Sequence, residues 1–95
     1  MAFNEILQPG AARIIEASIA PSSVAANVTA EQTFTVSGLS TADAVFISPV
    51  ATGNSTMAGQ ARVSAADTLA VTYTNPTAGG LVPATGTMRI LAVRF

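Results

Sequence analysis

Two short stretches of alternating apolar and polar residues, separated by a break, form the clearest pattern in the chain. Every second side chain is apolar over residues 61–65, and Leu69, Val71 and Tyr73 continue the alternation after the break. Successive side chains of a strand point to opposite faces, so each stretch predicts a half-buried strand. Ala66 and Asp67 lie between them, and Asp is favoured in turns. The pattern predicts a β-hairpin over 61–74, which needs a cover because a lone hairpin is marginal in water.

The same two-residue period predicts strands on the N-terminal side of this hairpin. Residues 11–20 read as a strand with Ile15, Ala17 and Ile19 inward and Ile14 outward beside Glu16, although good helix formers at 11–17 leave a helix as the alternative. Residues 23–30 follow Pro21 and predict a short edge segment or an extended loop. Residues 31–37 predict a strand with Phe34 and Val36 inward.

Two further predicted strands are apolar on both faces. Residues 43–50 place Val45 and Ile47 on one face and Phe46 on the other. Residues 87–95 place Ile90 and Ala92 on one face, and the opposite face carries Arg89, Leu91, Val93 and Phe95. A strand of this kind is expected to be covered on both faces. The segments around these strands predict a loop at 51–60, anchored by Met57, and a Pro/Gly turn at 75–80.

Six or seven short strands with Gly, Pro, Asn and Ser turns predict an all-β fold, namely a small antiparallel β-sandwich. The spacing resembles the immunoglobulin-like plan without its Cys and Trp core markers, and a jelly roll is the alternative. The break at Pro9 and Gly10 divides the chain into an N-terminal arm, 1–10, and a sandwich domain, 11–95. The apolar residues of the arm lie either on the domain's own core or against a neighbour: Phe3, Ile6 and Leu7.

Charge is scarce in this chain, with 9% charged residues and a net charge of −1. A typical soluble domain carries about 25%. We therefore expect a surface rich in Thr, Ser, Asn and Gln that is in part buried against other copies or a partner, with a Thr-coated monomer as the alternative. The four scattered arginines argue against nucleic-acid binding. The chain lacks a long apolar run and a basic N-terminal segment, so we expect no membrane span, no signal peptide and folding in a cytoplasm.

Catalytic chemistry is poorly provided for. The chain has no His, Cys or Lys, which removes the usual nucleophile–base pairs, Schiff-base lysines and transition-metal ligands. No spaced pair stands out among the five carboxylates, which are Glu5, Glu16, Glu31, Asp43 and Asp67. We expect neither an enzyme nor a cofactor or metal site. Tyr73 fits a core position better than a sugar-stacking one.

Three segments resemble a known group of proteins. They are 33–39 (TFTVSGL), 59–79 (GQARVSAADTLAVTYTNPTAG) and 87–94 (TMRILAVR). The likeness is to small β-rich structural proteins of tailed bacteriophages and prophages, and it extends from about residue 24 to residue 95. Residues 1–20 are not covered by it.

The resemblance implies a virion component, and the short single domain favours a capsid decoration (cement) protein on the capsid surface. Its partners would be the major capsid protein and other copies of itself, with a trimer as the expected form. The apolar residues outside the inward phase are the expected interfaces: Phe3, Ile6, Leu7, Leu91, Val93 and Phe95. The alternative is a tail- or fibre-associated receptor- or carbohydrate-binding module that uses the loops at 51–60 or 75–83.

Overall fold

A computed structural model of the chain describes residues 12–48 and 56–94. These residues form six antiparallel strands in two three-stranded sheets and no helix, as the alternating patterns predict. The strands are β1 (Ala12–Ile19), β2 (Val28–Thr35), β3 (Asp43–Ser48), β4 (Met57–Ala65), β5 (Thr68–Asn75) and β6 (Gly86–Arg94).

The strand order follows the immunoglobulin-like plan. One sheet, called sheet I here, has the order β1-β6-β3, and the other, sheet II, has the order β2-β5-β4. The orders C-F-G and B-E-D of an immunoglobulin sandwich correspond to these two sheets, with β1 in the place of the last strand. The chain crosses between the sheets at every connection except the β4–β5 hairpin.

The hydrophobic core lies between the sheets and is built from the inward phase of each strand. Its buried members include Ile19 of β1, Leu69, Val71 and Tyr73 of β5, and Ile90 of β6. Phe34 meets Tyr73 edge to face, with ring centroids 6.4 Å apart. Tyr73 is therefore a core residue, and its ring is not available for stacking on a sugar. The inward phases predicted for 11–20, 31–37 and 87–95 are confirmed.

The β4–β5 hairpin turns at Ala66 and Asp67, as predicted, with Asp67 in the left-handed region at φ 59°. The turn is tied to the segment after β2. The Gly38 N–H donates to the Asp67 carboxylate at 2.8 Å, and the Val36 N–H donates to the Asp67 carbonyl at 2.9 Å. Asp67 thus closes the hairpin and joins it to the β2–β3 connection. Asp suits this position because it tolerates the left-handed backbone conformation better than most residues.

Several predicted boundaries are wrong. β2 begins at Val28, not at Glu31, so the predicted edge segment at 23–30 is part strand. β4 begins at Met57 inside the predicted loop, and the side chain of Met57 is 59% exposed, so it is not an anchor. β4 has two register shifts relative to β5. At the first, Gly59 and Gln60 together oppose one residue of β5, which breaks the alternation and explains why the start of β4 was predicted to be a loop. The second shift, after Val63, turns Ala65 to solvent.

Candidate docking face

Three exposed apolar side chains line up across the outer face of sheet I. Leu91 of β6 is the register partner of Ile14 on one side and of Phe46 on the other. Their side chains are 71% (Ile14), 40% (Leu91) and 61% (Phe46) exposed. We call these three residues the apolar row. Side chains opposite one another on neighbouring strands lie about 5 Å apart, so the row is one continuous apolar strip across the sheet.

Polar groups border the apolar row on one side. The next register row consists of Glu16, Arg89 and Ser48. The Arg89 Nε lies 3.8 Å from the Glu16 Oε1, and both side chains are largely exposed. Such a surface pair contributes little to stability and leaves both groups able to meet a partner. A shallow depression of about 250 Å³ lies between this row and the apolar row.

The outer face of sheet II is different in kind. Six threonines of β2 and β5 lie on this face: Thr29, Thr33, Thr35, Thr68, Thr72 and Thr74. Arg62 of β4 reaches over β5 to Glu31 of β2, with two hydrogen bonds of 2.9 Å, and the intervening Ala70 is fully buried. These bonds lower the pKa of Glu31. The two outer faces therefore offer a polar surface on one side of the molecule and an apolar strip on the other.

A buried ion cluster fixes the end of sheet I nearest the apolar row. The carboxylate of Asp43 is fully buried. It accepts hydrogen bonds from Arg94 Nε at 2.8 Å, from Arg13 Nη2 at 2.9 Å and from the Ser40 N–H at 2.9 Å. Arg13 also donates to the Gly38 carbonyl. Asp43 thereby joins all three strands of sheet I to the β2–β3 connection, which holds the register that aligns the row.

The same cluster lowers the pKa of Asp43. Hydrogen bonds from Arg94 and then from Arg13 hold the pKa of this carboxyl well below its ordinary value of 3.8, although burial acts in the opposite direction. The ionised form is thus the one that the folded chain stabilises.

We expect the free energy of unfolding to fall as the pH drops below about 4. Since the pKa of Asp43 is lower in the folded chain, the unfolded chain binds this proton more tightly. The stabilisation is full above the ordinary pKa and is lost as the pH falls through the folded value. Urea unfolding between about pH 5 and pH 2 measures this dependence, which should be shallower in Asp43→Asn. Identical pH dependences in the two proteins would contradict this role of Asp43.

The predicted interface residues fall into three groups. Leu91 is exposed and is the middle residue of the apolar row. Val93 lies on the same face but is only 6% exposed, so it offers little free surface. The remaining four lie outside the described residues: Phe3, Ile6, Leu7 and Phe95.

Sequence reasoning missed Ile14 and Phe46 as members of this face. Both were recognisable as apolar residues on the outward phase of their strands. Their alignment with Leu91 in one register row is not visible in any short stretch of sequence, because the three strands are far apart in the chain. The row depends on long-range strand pairing.

Metal-ligating clusters of three or more side chains and membrane-spanning helices are absent from residues 12–48 and 56–94. Three of the described carboxylates, those of Glu16, Glu31 and Asp43, each face an arginine and not one another. No family model, curated protein or solved structure matches this chain.

Proposed function

We propose that the chain is a bacteriophage structural protein, a capsid decoration (cement) protein that binds and stabilises the lattice of the major capsid protein. The observation that carries the proposal is the apolar row on the outer face of sheet I. Exposed apolar strips bordered by polar groups are typical of protein-binding surfaces. The resemblance of three segments to structural proteins of tailed phages supplies the class of partner.

The mechanism that we propose is bridging. Copies of the domain lie over joints between capsid subunits, with the apolar row against the lattice and the threonine-rich face of sheet II toward solvent. Each contact is small, and many copies around the shell add up to a large combined affinity. The low content of charged residues is consistent with a protein whose surface is partly buried against the capsid lattice.

The proposal is tested with particles of the encoding phage that lack the protein. Purified chain is added back, and the bound amount and the temperature of capsid disruption are measured after sedimentation. We expect saturable binding to heads and a higher disruption temperature. Electron microscopy of complete particles should place the chain on the head. Failure to bind heads, or a position on the tail, would overturn the proposal.

The N-terminal arm gives a separate prediction. We expect deletion of residues 1–10 to lower occupancy on the capsid, because its three large apolar residues, Phe3, Ile6 and Leu7, would add contact area outside the apolar row. Comparison of the bound copies of the truncated protein and of the 95-residue chain at equal concentration tests this. Normal occupancy of the truncated protein would remove the arm from the account and leave the apolar row untouched.

A further inference from the structure

β3 is the least protected of the four edge strands. Natural sheets guard their edges with charges, bulges, prolines or covering segments. β4 has two register shifts, and β1 carries Arg13 and Glu16. β2 carries Glu31, and its Gln32 side-chain amide bonds to the N–H and carbonyl of Ser22. After Asp43, β3 reads Ala-Val-Phe-Ile-Ser, which contains none of these devices.

The main-chain N–H and carbonyl groups of β3 that point away from β6 belong to Asp43, Val45 and Ile47. The Asp43 N–H donates to the Ser40 carbonyl at 2.9 Å, so it does not point toward β6. Because alternate residues of an antiparallel strand point their main-chain groups in the same direction, those of Val45 and Ile47 also point away from β6. Within the described part of the chain, β3 pairs only with β6. Among the described residues, no partner meets the outward N–H and carbonyl groups of Val45 and Ile47 along this edge.

The described residues leave space beside this edge. A groove of about 460 Å³ runs between β3 and β4, and its walls include Val45, Phe46, Ile47 and the stretch Gly59, Gln60 and Ala61. The register shift at Gly59 and Gln60 belongs to the wall opposite β3. Bulges bend a strand, and Gly59 adds no side chain, which accounts for a gap along β3.

We propose that β3 pairs in antiparallel fashion with β3 of a second copy, with Phe46 opposite the partner's Phe46. An antiparallel edge is self-complementary about a two-fold axis, and no charge lies between residues 44 and 48 to oppose its own copy. The pair joins two copies of sheet I into a six-stranded sheet. This pairing does not depend on the capsid proposal.

The register of the β3–β3 pair follows from which main-chain N–H and carbonyl groups of β3 point outward and are not already bonded. With Phe46 on the axis, Val45 faces the partner's Ile47, so both free main-chain positions form hydrogen-bonded pairs. A register centred on Val45 would require the N–H of Asp43, which Ser40 already occupies. Position 46 is then a pair without main-chain hydrogen bonds, in which side chains lie closest. The apolar rows of the two copies become one strip of six residues, and a two-fold pair replaces the trimer that the phage resemblance implies.

Light scattering on the 95-residue chain tests the pairing. We expect the mass of two chains for the wild type, and the mass of one chain for Phe46→Lys and for Phe46→Glu separately, because like charges meet at the axis. An equimolar mixture of these two variants should return to two chains, since opposite charges then face each other. A wild type of one or three chains, or a mixture that stays single, would overturn the proposal.

A second set of variants separates the edge from the outer face. Val45→Pro removes an outward N–H at an edge position that tolerates proline, whereas Val45→Ala shortens the side chain and keeps the N–H. We expect Val45→Pro to be a folded single chain and Val45→Ala and Leu91→Thr to remain paired. Pairing by Val45→Pro, or loss of pairing in Leu91→Thr, would contradict pairing through the edge of β3. The charge-swap mixture decides the question if Val45→Pro fails to fold.

Discussion

We expect the replacement of Asp43 by Asn to lower the free energy of unfolding by about 3 kcal/mol, the lower end of the range for breaking a buried ion pair. The fully buried carboxylate accepts bonds from Arg94, Arg13 and the Ser40 N–H. The low end applies because both arginines reach partly into water. In a domain of this size such a loss is a large share of the total stability and corresponds to a fall in Tm of roughly 12–24 °C.

Glu31→Gln provides the matched control. It neutralises one carboxylate of an arginine pair in the same way, but the Glu31–Arg62 pair lies on the outer surface of sheet II. Exposed pairs contribute little, so its Tm should stay close to that of the wild type. Thermal unfolding followed by circular dichroism compares the variants. Equal effects at the two positions would contradict the structural role given to the Asp43 cluster.

The double variant Ile14→Thr with Leu91→Thr is expected to bind capsids roughly 30- to 150-fold more weakly than the wild type. Full burial of an Ile or Leu side chain contributes about 1.5–3 kcal/mol. Scaled by the exposed fractions of 71% and 40%, the two side chains together contribute roughly 2–3 kcal/mol. That energy converts to the stated change in affinity. Sedimentation of capsids over a range of protein concentrations measures it.

Met57→Thr is the control for this prediction. Met57 is 59% exposed and belongs to sheet II, so the exchange removes one exposed apolar side chain from the other side of the sandwich. We expect its affinity for capsids to match that of the wild type, and all of these variants to keep wild-type Tm values within a few degrees, because each position is exposed. Equal losses of affinity on both sheets would argue for nonspecific adhesion.

The alternating pattern carried most of the fold. It predicted the hairpin at Asp67, the inward phases of β1, β5 and β6 and the sandwich, because half-buried strands have a period of two. It failed where that period is interrupted. Gly59 and Gln60 share one partner position in β5, and the start of β4 therefore looked like a loop. A bulge depends on how the strand pairs with its neighbour, so the local residue pattern does not predict it.

The candidate face was only partly predictable, for a different reason. Leu91 stood out as an apolar residue on the outward phase of its strand, but its two register partners, Ile14 and Phe46, lie 77 and 45 positions earlier in the chain. Asp43 is a similar case. It reads as the first residue of a strand, and the two arginines that surround it lie 30 and 51 residues away. Long-range register creates both features.

The absence of cysteine allows a direct test of which face is covered. Leu91→Cys and Met57→Cys each place one thiol on an exposed position, on sheet I and sheet II respectively. Both thiols should react with a maleimide at similar rates in the isolated protein. In assembled phage heads we expect Cys at position 91 to be protected and Cys at position 57 to react as before. Equal reactivity of the two positions in assembled heads would contradict the claim that the outer face of sheet I is the docking face.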